Sequence, residues 1–494
     1  MRASGILLPI SSLPSPYGIG TLGKEAFAFV DFLKKAGQTY WQVLPLGPTS
    51  YGDSPYQTFS AFAGNPYFID LDLLAQEGLL KESEYRHLET PNPELVDYEY
   101  QYFYRFKVLR LAYFRFSPEK HPDFETFCEN NKKWLDDYSL FMSIKGQNND
   151  QSWWLWEEKY KKRNFQALEE YISKNASDIG FWKFVQYYFF KQWLALKQYA
   201  NQNGIEIIGD IPIYVAQDSS DVWSNPDDWQ LDENLDPIRV AGCPPDAFAK
   251  TGQLWGNPIY NYDKMEQEGF SWWLDRIKES FKLYDIVRID HFRGFEAYYA
   301  IPYGDPTAEF GTWVKGPGMK LFQRVKDVLG EVRIIAEDLG FLTPEVYQLL
   351  ADTGYPGMKI LQFGFDPYHD SEYLPHNFKR NSIVYTGTHD NMTVRSWFKS
   401  LNEAEKAFVK AYLDFEDDNL VVPKMIKACL ASVCEMAVIP LQDYLEQGDE
   451  GRINVPSTLG GNWVWRIKKG VLTEELHQKI YSWCKTYRRI NPNG

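Results

Sequence analysis

Eight short runs rich in apolar and β-branched residues recur along the chain: 5–9 (GILLP), 40–46 (YWQVLPL), 205–211 (IEIIGDI), 285–291 (DIVRIDH), 332–338 (VRIIAED), 358–364 (MKILQFG), 382–388 (NSIVYTG) and 437–443 (AVIPLQD). Most are preceded or followed by helical periodicity, as at 22–36, 271–283, 318–329, 344–352 and 421–436. Such runs predict strands, and a 3.6-residue period predicts helices. Strands that alternate with helices build right-handed βαβ units on a parallel sheet. Eight units close a (β/α)8 TIM barrel, the expected α/β fold class. An open doubly wound sheet is the alternative, but no Gly-rich phosphate-binding signature follows the first run.

The spacing of the runs is uneven. Residues 47–204 separate the second from the third, far more than one crossover helix needs. Their helix-like periodicity around 100–115, 123–145 and 178–202 predicts a mainly helical insertion subdomain. Residues 213–270 are rich in Pro, Gly, Asn and Asp and predict a loop-rich insertion, with a lid-like loop at 242–260. Both would rise from the barrel end where βα-loops build active sites. After GGNWVWR (460–466) one helical stretch remains, at 473–488. The expectation is a single catalytic barrel over 1–494 with no C-terminal β-sandwich.

Composition narrows the partners. The net charge of −15 opposes nucleic acid, which demands a basic footprint, and opposes anionic membrane surfaces. Aromatics make up 17 %, enough for a large core or for platforms that stack flat sugar faces. The five cysteines are scattered without a CxxC, and the seven histidines show no metal-ligand spacing. No apolar run is long enough to span a bilayer, and the N-terminal run lacks the pattern of a signal peptide. Reduced thiols, a cytoplasmic address, and no metal or cofactor are the expectations.

Four of the runs end in a carboxylate: Asp210, Asp290, Glu337 and Asp390. Side chains alternate along a strand, so Arg288 and Asp290 share one face. A single strand-end acid is most often solvated or caps the next helix. Four at equivalent places, beside Arg288, His291 and His389, point to chemistry at the barrel mouth. Metal-assisted hydrolysis is one reading, with His291, His389 and the acids as ligands. Glycoside chemistry is the other, needing one ionised and one protonated carboxyl across an anomeric carbon. Arg288 would hold Asp290 ionised, while neighbouring acids would make the Glu337 proton harder to lose. Asp290 is then the nucleophile, Glu337 the acid/base, and Asp390 a grip on sugar hydroxyls. His291 falls on the other parity and its role stays open.

The motifs RIDHFRG (288–294), AEDLG (336–340) and THDN (388–391) together resemble the amylomaltases, the 4-α-glucanotransferases of glycoside hydrolase family 77. So do YGDSPYQ (51–57), GDIPIYVAQDS (209–219), PPDAFAKTGQLWGNPIY (244–260) and GNWVWR (461–466). The resemblance implies Asp290 as the nucleophile, Glu337 as the acid/base and Asp390 as the transition-state stabiliser. It implies sugar contacts at Tyr56, Asp210, Trp255, Arg288, His389, Asn462, Ser54 and Gln253. Tyr51 lies where some members bind a second glucan segment. The implied activity moves part of an α-1,4-glucan to the 4-OH of an acceptor glucan or glucose. The rivals are an α-glucan hydrolase on the same barrel, a metal-dependent hydrolase and a non-catalytic glucan binder.

Overall fold

All eight runs become strands of one parallel sheet in a computed structural model that describes residues 2–86, 92–245, 250–340 and 342–492, the Tyr51 side chain excepted. In chain order the strands of the described residues are β1 Ala3–Leu7, β2 Tyr40–Gln42, β3 Glu206–Pro212, β4 Arg239–Cys243, β5 Gln253–Pro258, β6 Ile286–Asp290, β7 Ala297–Pro302, β8 Thr312–Lys315, β9 Ile334–Ala336, β10 Gly357–Ile360, β11 Ser382–Tyr385 and β12 Met436–Pro440. The barrel sheet runs β10-β11-β12-β1-β2-β3-β6-β9. Its two ends meet where the Ala336 N–H donates to the Pro356 carbonyl at 3.0 Å. The sheet therefore closes into a (β/α)8 barrel, at a seam with little regular ladder.

Several strands stop short of the apolar runs that predicted them. β2 ends at Gln42, and Pro45 beyond it has no N–H to offer a neighbour. β10 ends at Ile360, and Leu361–Gly364 coil into a 3-10 turn. In both cases the chain leaves the ladder at the mouth, where it must carry loops rather than continue the sheet. Close approach fixes Gly209 on β3: a Cβ there would lie 2.1 Å from Cγ of Tyr284, whose ring packs against the strand.

Helices Lys24–Lys35, Ser271–Leu283, Met319–Leu329, Pro344–Thr353 and Val421–Ala431 wrap the sheet. The last of these ends well before residue 436. Its C-terminal carbonyls, and those of the turn into β12, are taken by the wholly buried Arg489. That guanidinium donates to the carbonyls of Leu430 (2.7 Å), Ser432 (3.0 Å), Cys434 (2.9 Å) and Ala3 (2.9 Å). It joins the segment after helix Glu474–Thr486 to β1 and the entry of β12.

Between β2 and β3 lie helices Phe106–Arg115, Pro122–Gln147, Phe165–Lys174 and Ala176–Gln202. The two long ones pack on each other through Trp134, Tyr138, Phe190 and Trp182. Much of the aromatic content is thus core. A second, antiparallel sheet runs β5-β4-β7-β8. Its first two strands come from the loop-rich stretch. Its other two come from 297–315, to which periodicity assigned nothing, because short strands leave little pattern to count. Among the described residues no helix is long and apolar enough to cross a membrane.

Arg489→Met removes the shared donor from these buried carbonyls, at a cost of at least about 2 kcal/mol. The expected result is a lower urea midpoint and a shorter half-life on heating. An unchanged midpoint would refute the clamp.

Candidate active site

Asp210 on β3 and Arg288 on β6 stand opposite each other in the barrel register. Alternation turns both inward, where neither meets water: Asp210 is 0 % exposed and Arg288 3 %. One guanidinium nitrogen of Arg288 sits 2.7 Å from each oxygen of Asp210. The other terminal nitrogen lies 3.0 Å from Oδ1 of Asp290, and Nε meets the Met358 sulfur at 3.4 Å. A buried charge on this scale persists only if paired. Here one cation serves two carboxylates.

Glu337 follows β9 directly. Its backbone N–H donates to the Ile289 carbonyl at 3.1 Å and its carbonyl accepts from the Phe292 N–H at 3.0 Å. Its carboxyl oxygens each accept a backbone N–H at 2.7 Å, from His291 and from Leu339. Each oxygen keeps a second lone pair for a proton or a ligand.

The loop after β11 carries His389 and Asp390. Asp390 Oδ1 accepts from the Asn454 amide at 2.6 Å and lies 3.4 Å from Nε2 of His389. The His389 ring stacks on Tyr56 at 5.2 Å, and Trp463 flanks both rings. Tyr56 Oη donates to Asp210 at 2.8 Å, which ties the loop after β2 to the charged cluster. Asp443 holds the Asp390 loop from below, accepting from the Thr386 hydroxyl at 2.5 Å and the Val394 N–H at 2.9 Å.

Charge follows this geometry. Burial pushes the Glu337 carboxyl up to about 7, and the Asp290 charge adds to the push, against Arg288 and the two N–H donors. Burial also pushes Asp290 up to about 6, against the pull of Arg288, with Asp210 and Asp390 reinforcing the rise. The spacing alone suggested that Arg288 would simply hold Asp290 ionised. In the structure Arg288 does lower the Asp290 proton affinity, but burial of the carboxyl outweighs that pull and Asp210 adds to the rise. Solvent still reaches the Asp290 side chain, which is 31 % exposed and tempers its desolvation. Protons leave the pair in two steps, with Glu337 holding on longer.

The remaining predicted residues are less uniform. Trp255 packs edge-on against His291 at 4.8 Å, and its indole N–H donates to Gln253 at 3.1 Å. His291 sits in left-handed backbone at φ 54°, and burial drives its imidazole down to about 3, so it is neutral. Ser54 accepts the Tyr56 N–H within its own turn, at 3.2 Å. Asn462 uses its amide inside its own loop, accepting from the Val455 N–H and donating to Thr458. The lid-like loop 242–260 is described except for 246–249, and the side chain of Tyr51 lies outside the described residues. Asn454 and Asp443 went unread in the sequence, while Trp463, in the GGNWVWR stretch weighed for both packing and stacking, stacks on Tyr56 and His389. The partners of Asn454 and Asp443 lie far away along the chain, and no local spacing marks them. Among the described residues no three His, Cys, Asp or Glu side chains gather as metal ligands.

A closed parallel barrel with paired carboxylates, an arginine and aromatic rings at its strand ends defines a carbohydrate-active barrel enzyme. A family model described as 4-alpha-glucanotransferase matches residues 8–473, and the chain belongs to that family, glycoside hydrolase family 77. It is 53 % identical over 485 residues to a 4-alpha-glucanotransferase of Clostridium butyricum, covering 97 % of this chain and 99 % of the relative. It is 48 % identical to one of Thermus thermophilus, covering 99 % of each. The amylomaltase from Streptococcus agalactiae, solved in complex with acarbose, superposes with a TM-score of 0.97 at 42 % identity, covering 99 % of this chain and 100 % of that one. Glucan transfer is the activity of the chain.

Arg288→Met leaves Asp210 buried without its cation. Breaking such a pair from one side costs about 3–5 kcal/mol. A urea titration is expected to show that loss, and a midpoint within error of the parent would contradict the pairing.

Proposed function

We propose that the chain moves a segment of an α-1,4-glucan to the 4-OH of an acceptor glucan or glucose by double displacement with retention. Asp290 attacks the anomeric carbon while Glu337 protonates the departing glycosidic oxygen. The released piece leaves and a β-linked glycosyl-enzyme remains. Glu337, now ionised, takes the proton of the acceptor 4-OH as that oxygen displaces Asp290. Asp390, held by Asn454 and beside His389, grips sugar hydroxyls in the transition state. The observation that carries this reading is two carboxyls in unequal surroundings, Asp290 3.0 Å from the Arg288 guanidinium and Glu337 held by two backbone N–H groups at 2.7 Å. That inequality lets one act as acid while the other attacks.

Tyr56, Asp210, Trp255, Arg288, His389, Asn462, Ser54 and Gln253 are the proposed sugar contacts. The acarbose held by the Streptococcus agalactiae amylomaltase supports a carbohydrate in the corresponding cleft. Maltooligosaccharides and amylose are the proposed donors and acceptors. A cytoplasmic address is proposed too, supported by an odd count of five scattered cysteines with no CxxC.

The pH profile of kcat/KM is expected to be bell-shaped, rising near pH 6 as Asp290 ionises and falling near pH 7 as Glu337 loses its proton. Asp210→Asn removes a charge that raises Asp290, so the acidic limb moves to lower pH. A limb that stays in place, or moves upward, would sink the assignment. Incubation with maltotriose is expected to yield glucose plus longer maltooligosaccharides, whereas a hydrolase yields only shorter ones. Asp290→Asn is expected to abolish both products. Turnover that survives it would point to another nucleophile.

A further inference from the structure

At the β9–β10 seam the register opened by the Ala336 N–H and the Pro356 carbonyl calls next for the Met358 N–H to reach the Ala336 carbonyl. It does not. Met358 donates to Oδ1 of Asp338 at 2.6 Å. The Asp338 side chain is 5 % exposed and replaces a rung of the ladder. Across the seam, Gly357 makes room for it: a Cβ there would lie 2.3 Å from Oδ2 of Asp338.

The consequence falls on Glu337, one residue earlier. Its backbone is bound on the β6 side, to Ile289 and Phe292. On the β10 side the segment is anchored through Asp338. Were the ladder to run on, residues 337 and 338 would follow a strand path alongside β10. By intercepting that rung, Asp338 ends β9 at Ala336 and turns the chain so that Leu339 can donate back to the Glu337 carboxyl. We propose that Asp338 is a positioning residue that sets the Glu337 carboxyl for proton transfer by bridging the barrel seam. This rests on the reading of Glu337 as the acid/base.

The test compares maltotriose, whose leaving oxygen needs a proton, with α-maltosyl fluoride, whose leaving fluoride needs none. Fluoride release is read over the first turnover, before the acceptor step needs a base; there Glu337→Gln, which checks the underlying reading, should keep it while losing maltotriose turnover. If fluoride release is lost too, the acid/base reading itself fails. Asp338→Ala should lower kcat/KM on maltotriose at least 100-fold while fluoride release falls less than 10-fold. Asp338→Asn keeps an oxygen for the Met358 N–H and should stay within about fivefold of the parent on both donors. Gly357→Ala presses on the same carboxylate from the other side and should reproduce the selective loss, which keeps the test available if Asp338→Ala does not fold. Equal losses on the two donors, or an Asp338→Asn as impaired as Asp338→Ala, would overturn the proposal while leaving the Glu337 assignment standing.

Discussion

The Arg288 guanidinium is the interaction on which the rest of the site depends. It lies in the barrel interior between two carboxylates, one wholly buried and one open to the mouth. Without the cation, Asp210 would be an uncompensated charge inside a sheet. Without Asp210, the cation would belong to Asp290 alone and draw its proton affinity down. Burial, with Asp210 sharing the cation, holds the Asp290 proton affinity above that of an ordinary carboxylate.

Around this centre the support comes from distant parts of the chain. Tyr56 reaches Asp210 from the loop after β2. Asn454 fixes Asp390 from beyond β12, and Trp463 closes the stack on His389 and Tyr56. Tyr56 is held by a hydrogen bond and a ring stack at once. Trp255 and Gln253 hold each other at the lid.

The sequence was most legible where one local pattern decided the outcome. The eight apolar runs marked the barrel strands, and alternation placed Arg288 and Asp290 on one face. Strand ends were overestimated where apolar residues continued past the ladder, as after Gln42 and Ile360. The antiparallel sheet escaped because its strands are short and come from both sides of β6. Arg489 gave no signal at all: an arginine near the end of the chain reads as solvated until its carbonyl partners are known. Asp338 was hidden in plain view, overshadowed by the more obvious Glu337. The sign of the Asp290 shift also needed coordinates, since burial and a shared cation cannot be read from spacing.

β1 pairs with β12 along its whole length, Ala3 opposite Met436 and Leu7 opposite Pro440. During synthesis the first strand therefore waits for almost the entire chain before its second edge is covered. At about 5–20 residues per second that wait lasts tens of seconds. For that time the nascent sheet offers unpaired N–H and C=O groups to any neighbouring strand. Every side chain of the site that comes after β11 is also absent until late. Barrel closure and a complete active site therefore both wait for the end of synthesis, and crowded production should tax the chain before that point rather than in the finished barrel.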